Sequence, residues 1–477
     1  MRNKKEYIWS LMGRFVPQAI YLLTTMVLAR FLSPEDFGII GVLTIFFVVA
    51  NTLMDTGLGG SLIKEKNITR LDCSTIAAFN VAMSLSLYAI LFVIADDIES
   101  HYETPGLASV SKVLCLIFVI NSFGLVPRAL LMRDLKFGTL TAIGIISVIL
   151  SAIVSILMAL MNYGVWSLVA YQLVGALSSL FMSIVAAKYK LSFMFSWNSF
   201  KRLFSFGILT TLITIIDTIY ENIIINIFGK NFGIQQAGYL SQAKKIEEAP
   251  SATLSATISG VSFPVLTKLR GDKIKFGEEC NLIFKSVQAP LLPLLAYISL
   301  FSNPIINIVF GEQWIEAAPY LSLLIFAGIF RMAETLNRTF IKASTIVDRL
   351  LVYTLIKRTI GIFLIIVCLL INKETVLWGY VLSSFIGFVA NAKLLSKILN
   401  ISFTSQITQY FILLTPTIII YILLYLFNSH VNTLMLQMVV AILVLLLYYF
   451  LILPLFGLDI VKVINQQIKK FLKKNEI

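Results

Sequence analysis

Carboxylates inside long apolar segments are the residues of this chain that could do chemistry. Asp217 and Glu221 lie four residues apart in one such segment, so a helix would place them one turn apart on a single face. Two neighbouring carboxylates could share a proton or hold a cation, which would couple transport to an ion gradient. The structural alternative is that each carboxylate pairs with a buried cation of another helix. Asp55, just before three glycines in another segment, is a further candidate for coupling or gating.

Cations within the apolar segments predict a second kind of site, one that binds an anion. Four polar residues of the first segment recur at spacings of four, three and four, and so share a helix face: Arg14, Gln18, Tyr21 and Thr25. This stripe predicts a cavity wall, although Arg14 lies near the start of the helix and could instead extend to the lipid headgroups. The predicted anion contacts are Arg14, Arg30, Arg128, Lys285, Arg331 and Arg338.

Arg331 and Arg338 flank an acidic residue at helical spacing. Glu334 follows Arg331 by three residues and precedes Arg338 by four, which leaves one net cation on that face. We predict that Glu334 is a coupling or gating group beside the two arginines. In another segment, Lys244 and Lys245 precede Glu248 by four and three residues, so these charges could neutralise one another along one helix. Cations outnumber carboxylates within the apolar segments, which favours an anionic ligand.

The elements that must carry these side chains are transmembrane helices. The chain is 58% hydrophobic and only 13% charged, and its apolar runs approach the roughly 20 residues that a helix needs to cross the hydrocarbon core. We predict an all-α integral membrane protein with about 14 transmembrane helices. The spans lie near residues 10–32, 37–58, 75–95, 109–132, 138–161, 164–187, 203–228, 237–267, 282–302, 317–341, 350–371, 375–396, 408–428 and 432–456.

The charges of the loops set the orientation of these spans. Lysines and arginines crowd alternate loops and both termini, whereas the loops between them hold only Lys230 and Lys373. Short basic loops remain in the cytoplasm during insertion, so both termini are predicted to be cytoplasmic. The net charge of +13 is spread over these loops and would face anionic lipid, which argues against nucleic acid as a partner.

Similar pieces of sequence recur about 200 residues apart. Phe37-Gly38 opens the second span and Ala237-Gly238-Tyr239 opens the eighth, and both halves begin after a basic stretch. Equivalent spans therefore run in the same direction, which predicts two six-helix lobes in a parallel pseudo-two-fold repeat. The predicted organisation is an N-terminal lobe at residues 1–190 (spans one to six), a C-terminal lobe at 200–398 (spans seven to twelve), two appended spans at 405–457 and a basic cytoplasmic tail at 458–477.

The sequence contains no pattern of catalytic residues. The two histidines, His101 and His430, fall in predicted outer loops away from metal-ligand partners, and neither a phosphate-binding glycine loop nor a serine elbow is present. The four cysteines show neither metal spacing nor a disulfide pattern. We therefore expect no enzymatic activity, cofactor or metal, and energy for transport would come from substrate or ion gradients.

Six segments, taken in order, carry a family resemblance. The two longest are LARFLSPEDFG at 28–38 and DTGLGGSLIK at 55–64, and the others are 133–137, 163–168, 237–239 and 310–314. Together they resemble the polysaccharide transporter family of bacterial flippases, the exporters of O-antigen, colanic acid and teichuronic acid. The resemblance covers most of spans one to ten. That family lies in a superfamily with the multidrug and toxic compound extruders and the lipid II flippase.

The resemblance implies a flippase that serves the biosynthesis of lipopolysaccharide or exopolysaccharide at the bacterial plasma (inner) membrane. Two lobes would rock about a central cavity and move an oligosaccharide on a polyprenyl pyrophosphate carrier from the cytoplasmic to the outer leaflet. The cations named above would hold the pyrophosphate. Implied partners are this lipid-linked oligosaccharide, membrane lipids and a polysaccharide polymerase with its chain-length machinery. Family members often carry an Asp-Asn pair in span seven, where this chain has Glu221-Asn222.

Two other functions remain open on the sequence alone. A cation-coupled multidrug extruder of the same superfamily would favour an acidic, aromatic pocket, whereas cations are the majority within these spans. A membrane enzyme such as a polysaccharide polymerase or ligase would depend on a large outer loop, and the predicted outer loops are all short. The flippase is therefore the leading interpretation.

Overall fold

Helices make up most of the chain. A computed structural model describes residues 2–54, 58–65, 67–190, 192, 194–204, 208–344, 347–399, 402–431, 433–452 and 454. These ranges contain no β-strand, and the predicted all-α class is confirmed.

The helices follow one another through short connections. In the first half of the chain they are α1 (Arg2–Phe31), α2 (Pro34–Met54), α3 (Leu58–Lys64), α4 (Arg70–Tyr102), α5 (Leu107–Leu114), α6 (Leu116–Arg133), α7 (Phe137–Leu160), α8 (Val165–Ala187), α9 (Trp197–Phe204) and α10 (Ile208–Phe232). In the second half they are α11 (Ile234–Lys268), α12 (Lys273–Leu300), α13 (Ser302–Val309), α14 (Ala317–Ser344), α15 (Val347–Leu369), α16 (Lys373–Leu399), α17 (Phe403–His430) and α18 (Leu434–Leu447). A 3₁₀ turn at Glu312–Trp314 and a π-helical turn at Tyr448–Ile452 complete them.

Local sequence fixes where several long helices begin. Pro34 opens α2, where its missing N–H costs nothing in the first turn. Thr69 caps α4, since its hydroxyl accepts a hydrogen bond from the Asp72 N–H at 3.1 Å while the Asp72 carboxylate accepts from the Thr69 N–H at 2.9 Å. Asp272 caps α12 by accepting from the Lys275 N–H at 3.1 Å. The chain therefore enters these helices at a proline or at a polar capping residue.

Among the described residues, 11 helices are long and apolar enough to cross a membrane: α2, α4, α5 with α6, α7, α8, α10, α12, α14, α15, α16 and α17. Two shorter apolar stretches, Phe15–Phe31 and Leu434–Phe450, coincide with the predicted first and last spans. The predicted eighth span falls in α11, which is outside this set and has four charged residues in its first half. The protein is a multi-pass membrane protein, and the number 14 stays a prediction.

The chain forms two compact units, Met1–Gln242 with Asn307–Trp314, and Ala243–Ile306 with Ile315–Ile477. In the first unit, α7 packs on α1 and α8, α6 packs on α4 and α8, and α2 packs on α10. In the second unit, α16 packs on α14 and α15, and α12 packs on α14 and α17. The predicted lobes at residues 1–190 and 200–398 stay a prediction.

Two glycines let α2 approach the start of α11 within the first unit. A Cβ atom on Gly38 would lie 2.0 Å from the carbonyl oxygen of Ile234, and one on Gly238 would lie 1.8 Å from that of Pro34. No side chain can occupy such a space, so this approach requires glycine at both positions. Both glycines belong to the pair of segments that recurs about 200 residues apart in the sequence.

Candidate functional site

A buried carboxylate on α14 binds two cations of α15. Lys357 Nζ lies 2.6 Å from Glu334 Oε1, and Arg358 Nη2 lies 3.0 Å from the same oxygen. Asn391 of α16 accepts a hydrogen bond from Lys357 at 3.3 Å and donates one to the Glu334 backbone oxygen at 3.2 Å. All four residues are buried, with Arg358 the most exposed at 4%. We call these four residues the Glu334 cluster.

The Glu334 cluster contains one more cation than carboxylate. Gly387 of α16 leaves room for the Glu334 carboxylate, because a Cβ atom on Gly387 would lie 2.5 Å from Glu334 Oε2. Taking charges out of water is costly unless counter-charges and hydrogen bonds compensate.

A second group of charges joins α11 to α14. Arg331 binds the Glu247 carboxylate through Nη2, and its Nη1 lies 3.5 Å from Glu248 Oε1. Lys244 Nζ lies 3.6 Å from the same Glu248 oxygen, which confirms the pairing predicted from their spacing. Arg331 Nη1 also donates to the Tyr380 hydroxyl at 3.0 Å. Two cations, Arg331 and Lys244, here lie against two carboxylates, Glu247 and Glu248.

Arg331 and Glu334 therefore lie less than one turn apart on α14 but in different ion-pair groups. Arg338, the third predicted residue of this face, is half-buried, and its Nη2 lies 3.4 Å from the Thr335 hydroxyl. Lys357 and Arg358 are not among the site residues predicted from the sequence. Two adjacent cations inside the predicted eleventh span are the signal that could have found them, since ionisable residues at membrane depth are rare.

The predicted coupling pair lies on α10 in the first unit. Asp217 is only 5% exposed, and Glu221 is half-buried one turn further along. Beside them runs a ladder of amides, in which Asn226 Nδ2 donates to the Asn222 backbone oxygen at 3.3 Å. Tyr102 of α4 donates from its hydroxyl to Asn226 Oδ1 at 2.6 Å. The acidic pair thus lies next to a polar stripe on a largely apolar helix.

Arg128 lies in the wall of a cavity of about 410 Å³ in the first unit. Its guanidinium donates to backbone oxygens of its own helix, from Nε to Gly124 at 3.0 Å and from Nη2 to Asn121 at 3.3 Å. The other lining residues come from the end of α2, from α3 and from α6: Asn51, Met54, Gly60, Ile63, Asn121, Ser122, Leu125, Ala129 and Met132. We call this space the Arg128 cavity. Arg128 is its only charged lining residue among those described, which suits it to an anion.

Two other predicted anion contacts lie elsewhere. Arg30 is exposed at the end of α1, where its Nη2 donates to the Ile308 backbone oxygen at 3.0 Å. Beside it, Trp314 Nε1 donates to the Ala29 backbone oxygen at 2.8 Å, so this end of α1 is tied to the segment Asn307–Trp314. Lys285 is half-buried on α12, and the described residues provide no salt bridge to it. Neither side chain is among the described lining residues of the Arg128 cavity.

Two predicted site residues lie outside the description. The side chain of Arg14 is not among the described ones, although its backbone belongs to α1. Asp55 falls in the interval 55–57, which the structure leaves undescribed. Over the residues that are described, no three His, Cys, Asp or Glu side chains are grouped so as to hold a metal ion.

Sequence comparison relates the chain to proteins of polysaccharide biosynthesis. A family model described as "Polysaccharide biosynthesis protein" matches residues 27–319. A Klebsiella pneumoniae protein, named as an uncharacterized membrane protein in the cps region, is 23% identical over 424 residues, which are 88% of this chain and 83% of that protein. The lipopolysaccharide biosynthesis protein WzxC of Escherichia coli (strain K12) is 26% identical over 68% of this chain and 66% of its own length. The teichuronic acid biosynthesis protein TuaB of Bacillus subtilis (strain 168) is 25% identical over 75% of each chain.

Two kinds of solved structure share the fold. A lipid II flippase, MurJ, in an inward closed conformation aligns with a TM-score of 0.75 at 16% identity, over 94% of this chain and 99% of that one. An inward-facing multidrug resistance transporter of the MATE family aligns with a TM-score of 0.61 at 14% identity, over 82% of this chain and 99% of that one. The fold is therefore one found in transporters with different cargoes.

Proposed function

The chain belongs to the polysaccharide biosynthesis protein family, and on that premise we propose that it is a flippase rather than an enzyme. Its cargo would be an oligosaccharide on a polyprenyl pyrophosphate carrier. The protein would move this cargo from the cytoplasmic to the outer leaflet by alternating access, during the biosynthesis of a surface polysaccharide.

The observation that carries this proposal is the family match over residues 27–319. It covers most of the transmembrane chain, and the related proteins are named for lipopolysaccharide and teichuronic acid biosynthesis. The fold of a lipid II flippase supports the same kind of transport step. The short connections between helices leave little room for a catalytic domain, so a function between helices is favoured.

The pyrophosphate of the cargo needs cations in a site shielded from water. We assign Arg128 as the first anion contact, because it lines an open cavity. Lys357 and Arg358 of the Glu334 cluster are two further buried cations. Arg331 ranks below these, since two carboxylates already bind it and phosphate would have to displace them. Arg14, Arg30, Lys285 and Arg338 stay proposed contacts.

The buried carboxylates are proposed to couple or gate the transport cycle. Asp217 and Glu221 are the leading pair, because they lie one turn apart on α10 beside the amide ladder. Glu334 would gate by holding or releasing Lys357 and Arg358. Asp55 remains a candidate from its sequence position alone.

The location and partners of the protein follow from the same proposal. We place it in the bacterial inner membrane with both termini in the cytoplasm, as the basic loops predict. A polysaccharide polymerase and its chain-length machinery would act on the cargo after it reaches the outer leaflet.

The proposal is tested by deleting the gene and restoring it with the wild type or the Arg128→Ala variant. We expect the deletion strain to accumulate a lipid-linked oligosaccharide on the cytoplasmic face and to lose its surface polysaccharide. Arg128→Ala should lower surface polysaccharide by about tenfold or more, because a charge-assisted contact to the cargo is lost. Immunoblotting of membranes measures whether the variant is present at the wild-type level.

Two control variants make this test specific. Arg128→Lys retains a cation in the cavity and should restore part of the export. Lys112→Ala removes a half-buried cation outside the Arg128 cavity, whose partner is the exposed Asp96 at 2.8 Å, and should leave export unchanged. Normal polysaccharide from Arg128→Ala would remove Arg128 from the binding site, and normal polysaccharide from the deletion strain would refute the flippase itself.

A cation-coupled multidrug extruder is the second candidate, because the MATE fold also aligns over 82% of the chain. The buried Asp217 would then bind the coupling ion. Drug susceptibility of the deletion strain separates the two functions. Raised sensitivity to cationic drugs together with normal surface polysaccharide would favour the extruder.

A further inference from the structure

A second cavity, of about 430 Å³, lies wholly within the second unit. It is bounded by the start of α12, the later parts of α14 and α16, and the start of α17. Its volume is within the range of about 300–1,000 Å³ that small-ligand sites occupy. None of the residues assigned above to anion binding or coupling is among its described lining residues.

The deep wall of this cavity is aromatic. Phe340 and Phe388 are each 1% exposed overall, and Phe284 is 8% exposed. Tyr410 supports two of these rings, with centroid distances of 4.6 Å to Phe388 and 6.2 Å to Phe284. The Tyr410 hydroxyl donates to the Ile329 backbone oxygen at 2.9 Å, which holds the supporting ring in place. The cavity therefore offers a rigid aromatic surface on which a flat apolar face can stack.

Side-chain amides form the polar part of the lining: Asn281, Asn337, Gln406 and Gln409. Asn337 is only 2% exposed overall and lines the cavity, and no hydrogen bond of its amide is found within the described chain. The Nε2 of Gln406 is likewise buried without a hydrogen-bond partner there. A buried amide left unpaired is unfavourable, and both amides can donate and accept hydrogen bonds. These two side chains indicate that a polar ligand completes the cavity.

The charges of the lining indicate that this ligand is neutral. Lys273 and Glu278 are the charged lining residues, and they have opposite signs. The N termini of α12 and α17 also reach the cavity rim, but Asp272 and Ser402 cap them by accepting hydrogen bonds from first-turn N–H groups. The described lining residues thus include no cationic surplus of the kind that a phosphate would require.

We propose that this cavity binds a neutral sugar ring of the glycan, apart from the pyrophosphate. A pyranose has hydroxyl groups around its edge and apolar C–H groups on its faces, which match the four amides and the three phenyl rings. This inference rests on the proposed function, because the sugar is assigned to the glycan of the transported cargo. If the inference is correct, the pyrophosphate and the glycan are recognised by different residues of the chain.

Binding is measured by saturation-transfer NMR on the full-length protein in phospholipid nanodiscs. The probes are methyl β-D-glucopyranoside, methyl β-D-galactopyranoside and N-acetylglucosamine, with glucuronate as an anionic comparison. We expect saturable binding of at least one neutral probe, in preference to glucuronate. Absence of saturable binding for all three neutral probes overturns the inference.

Asn337→Leu is the decisive variant, since leucine has a similar size but cannot form hydrogen bonds. We expect it to weaken binding of the neutral probe by about tenfold. Its thermal unfolding midpoint should equal or exceed that of the wild type, because no hydrogen bond to the described chain is lost. Asn231→Leu, at the exposed end of α10, is the control and should bind as the wild type does. Unchanged binding by Asn337→Leu, or a lowered midpoint, shows that Asn337 is structural and overturns the assignment.

Failure of the sugar-binding test can be distinguished from failure of the flippase proposal. Binding is measured without transport, so a sugar site can be present even if the deletion strain exports polysaccharide normally. Conversely, export that depends on the protein, together with no sugar binding, refutes the sugar site alone. Mass spectrometry of the purified protein tests whether a phospholipid is bound. If removing that phospholipid allows the sugar probes to bind, the cavity is a lipid site and the inference is overturned.

Discussion

Glu334 is the carboxylate on which two buried cations converge. Lys357 and Arg358 both contact its Oε1, and all three residues are shielded from solvent. The attraction between opposite charges compensates for the loss of hydration only while the carboxylate is present. The folded state of the second unit should therefore depend strongly on this one residue.

Glu334→Gln should destabilise the protein by about 3–5 kcal/mol, because both cations lose their buried counter-charge. The measurement is the unfolding midpoint of the purified variant in detergent, with folded yield from membranes as a second readout. Asp96→Asn is the matched control, since it removes a carboxylate whose partner Lys112 lies at the similar distance of 2.8 Å but whose own side chain is 73% exposed. An exposed pair contributes only about 0–1 kcal/mol. Equal midpoints for the two variants would contradict the role assigned to the Glu334 cluster.

At the level of elements, the approach of α2 to the start of α11 is the contact most restricted by sequence. Each of two glycines faces a backbone oxygen of the other helix region, at distances that exclude a Cβ atom. Neither a rotamer change nor a flexible side chain could relieve such a clash, because the opposing atom belongs to the backbone. The recurrence of these glycines in both halves of the sequence thus has a steric cause.

Gly238→Ala should cost at least about 1–3 kcal/mol of stability, since the helices must separate to admit one methyl group. Gly38→Ala is expected to behave in the same way. Gly271→Ala is the control, because a Cβ atom there would meet no other atom within 4 Å. Comparing melting temperatures of the three variants measures the effect, and a Gly238→Ala midpoint within error of Gly271→Ala would refute the steric argument.

On the scale of the whole molecule, the loop charges predict a single orientation in the membrane. The stretch 96–106, which includes the end of α4, contains acidic residues, whereas the connection at 188–202 is basic. Because basic loops are retained in the cytoplasm, the first should lie outside and the second inside.

Reporter fusions test this orientation directly. Alkaline phosphatase fused after Glu103 should be active, and green fluorescent protein fused after Lys190 should be fluorescent. The reciprocal fusions, with the reporters exchanged, should be inactive and dark. Activity of alkaline phosphatase after Lys190 would invert the predicted topology.

Hydropathy and family pattern predicted the class of fold correctly because both depend on short stretches of sequence. An apolar run of about 20 residues forms a helix in a membrane whatever its neighbours are, since every backbone group must be paired within the segment. The same local reasoning identified the Lys244–Glu248 pair, whose members lie on one helix. Hydropathy did not clearly identify the eighth span as transmembrane, because charged residues occupy the first half of α11.

By itself, therefore, the sequence determined the helical membrane class and the family, and it showed that two glycines recur, but the steric reason for them came from the structure. Only the tertiary structure decided which charge pairs with which. Arg331 and Glu334 share a helix and are three residues apart, yet Arg331 binds Glu247 of α11 while Glu334 binds Lys357 and Arg358 of α15. The reason is that the partner of a buried charge depends on how neighbouring helices are rotated and shifted against one another. That arrangement is set by packing over the whole unit, which no short segment of sequence contains.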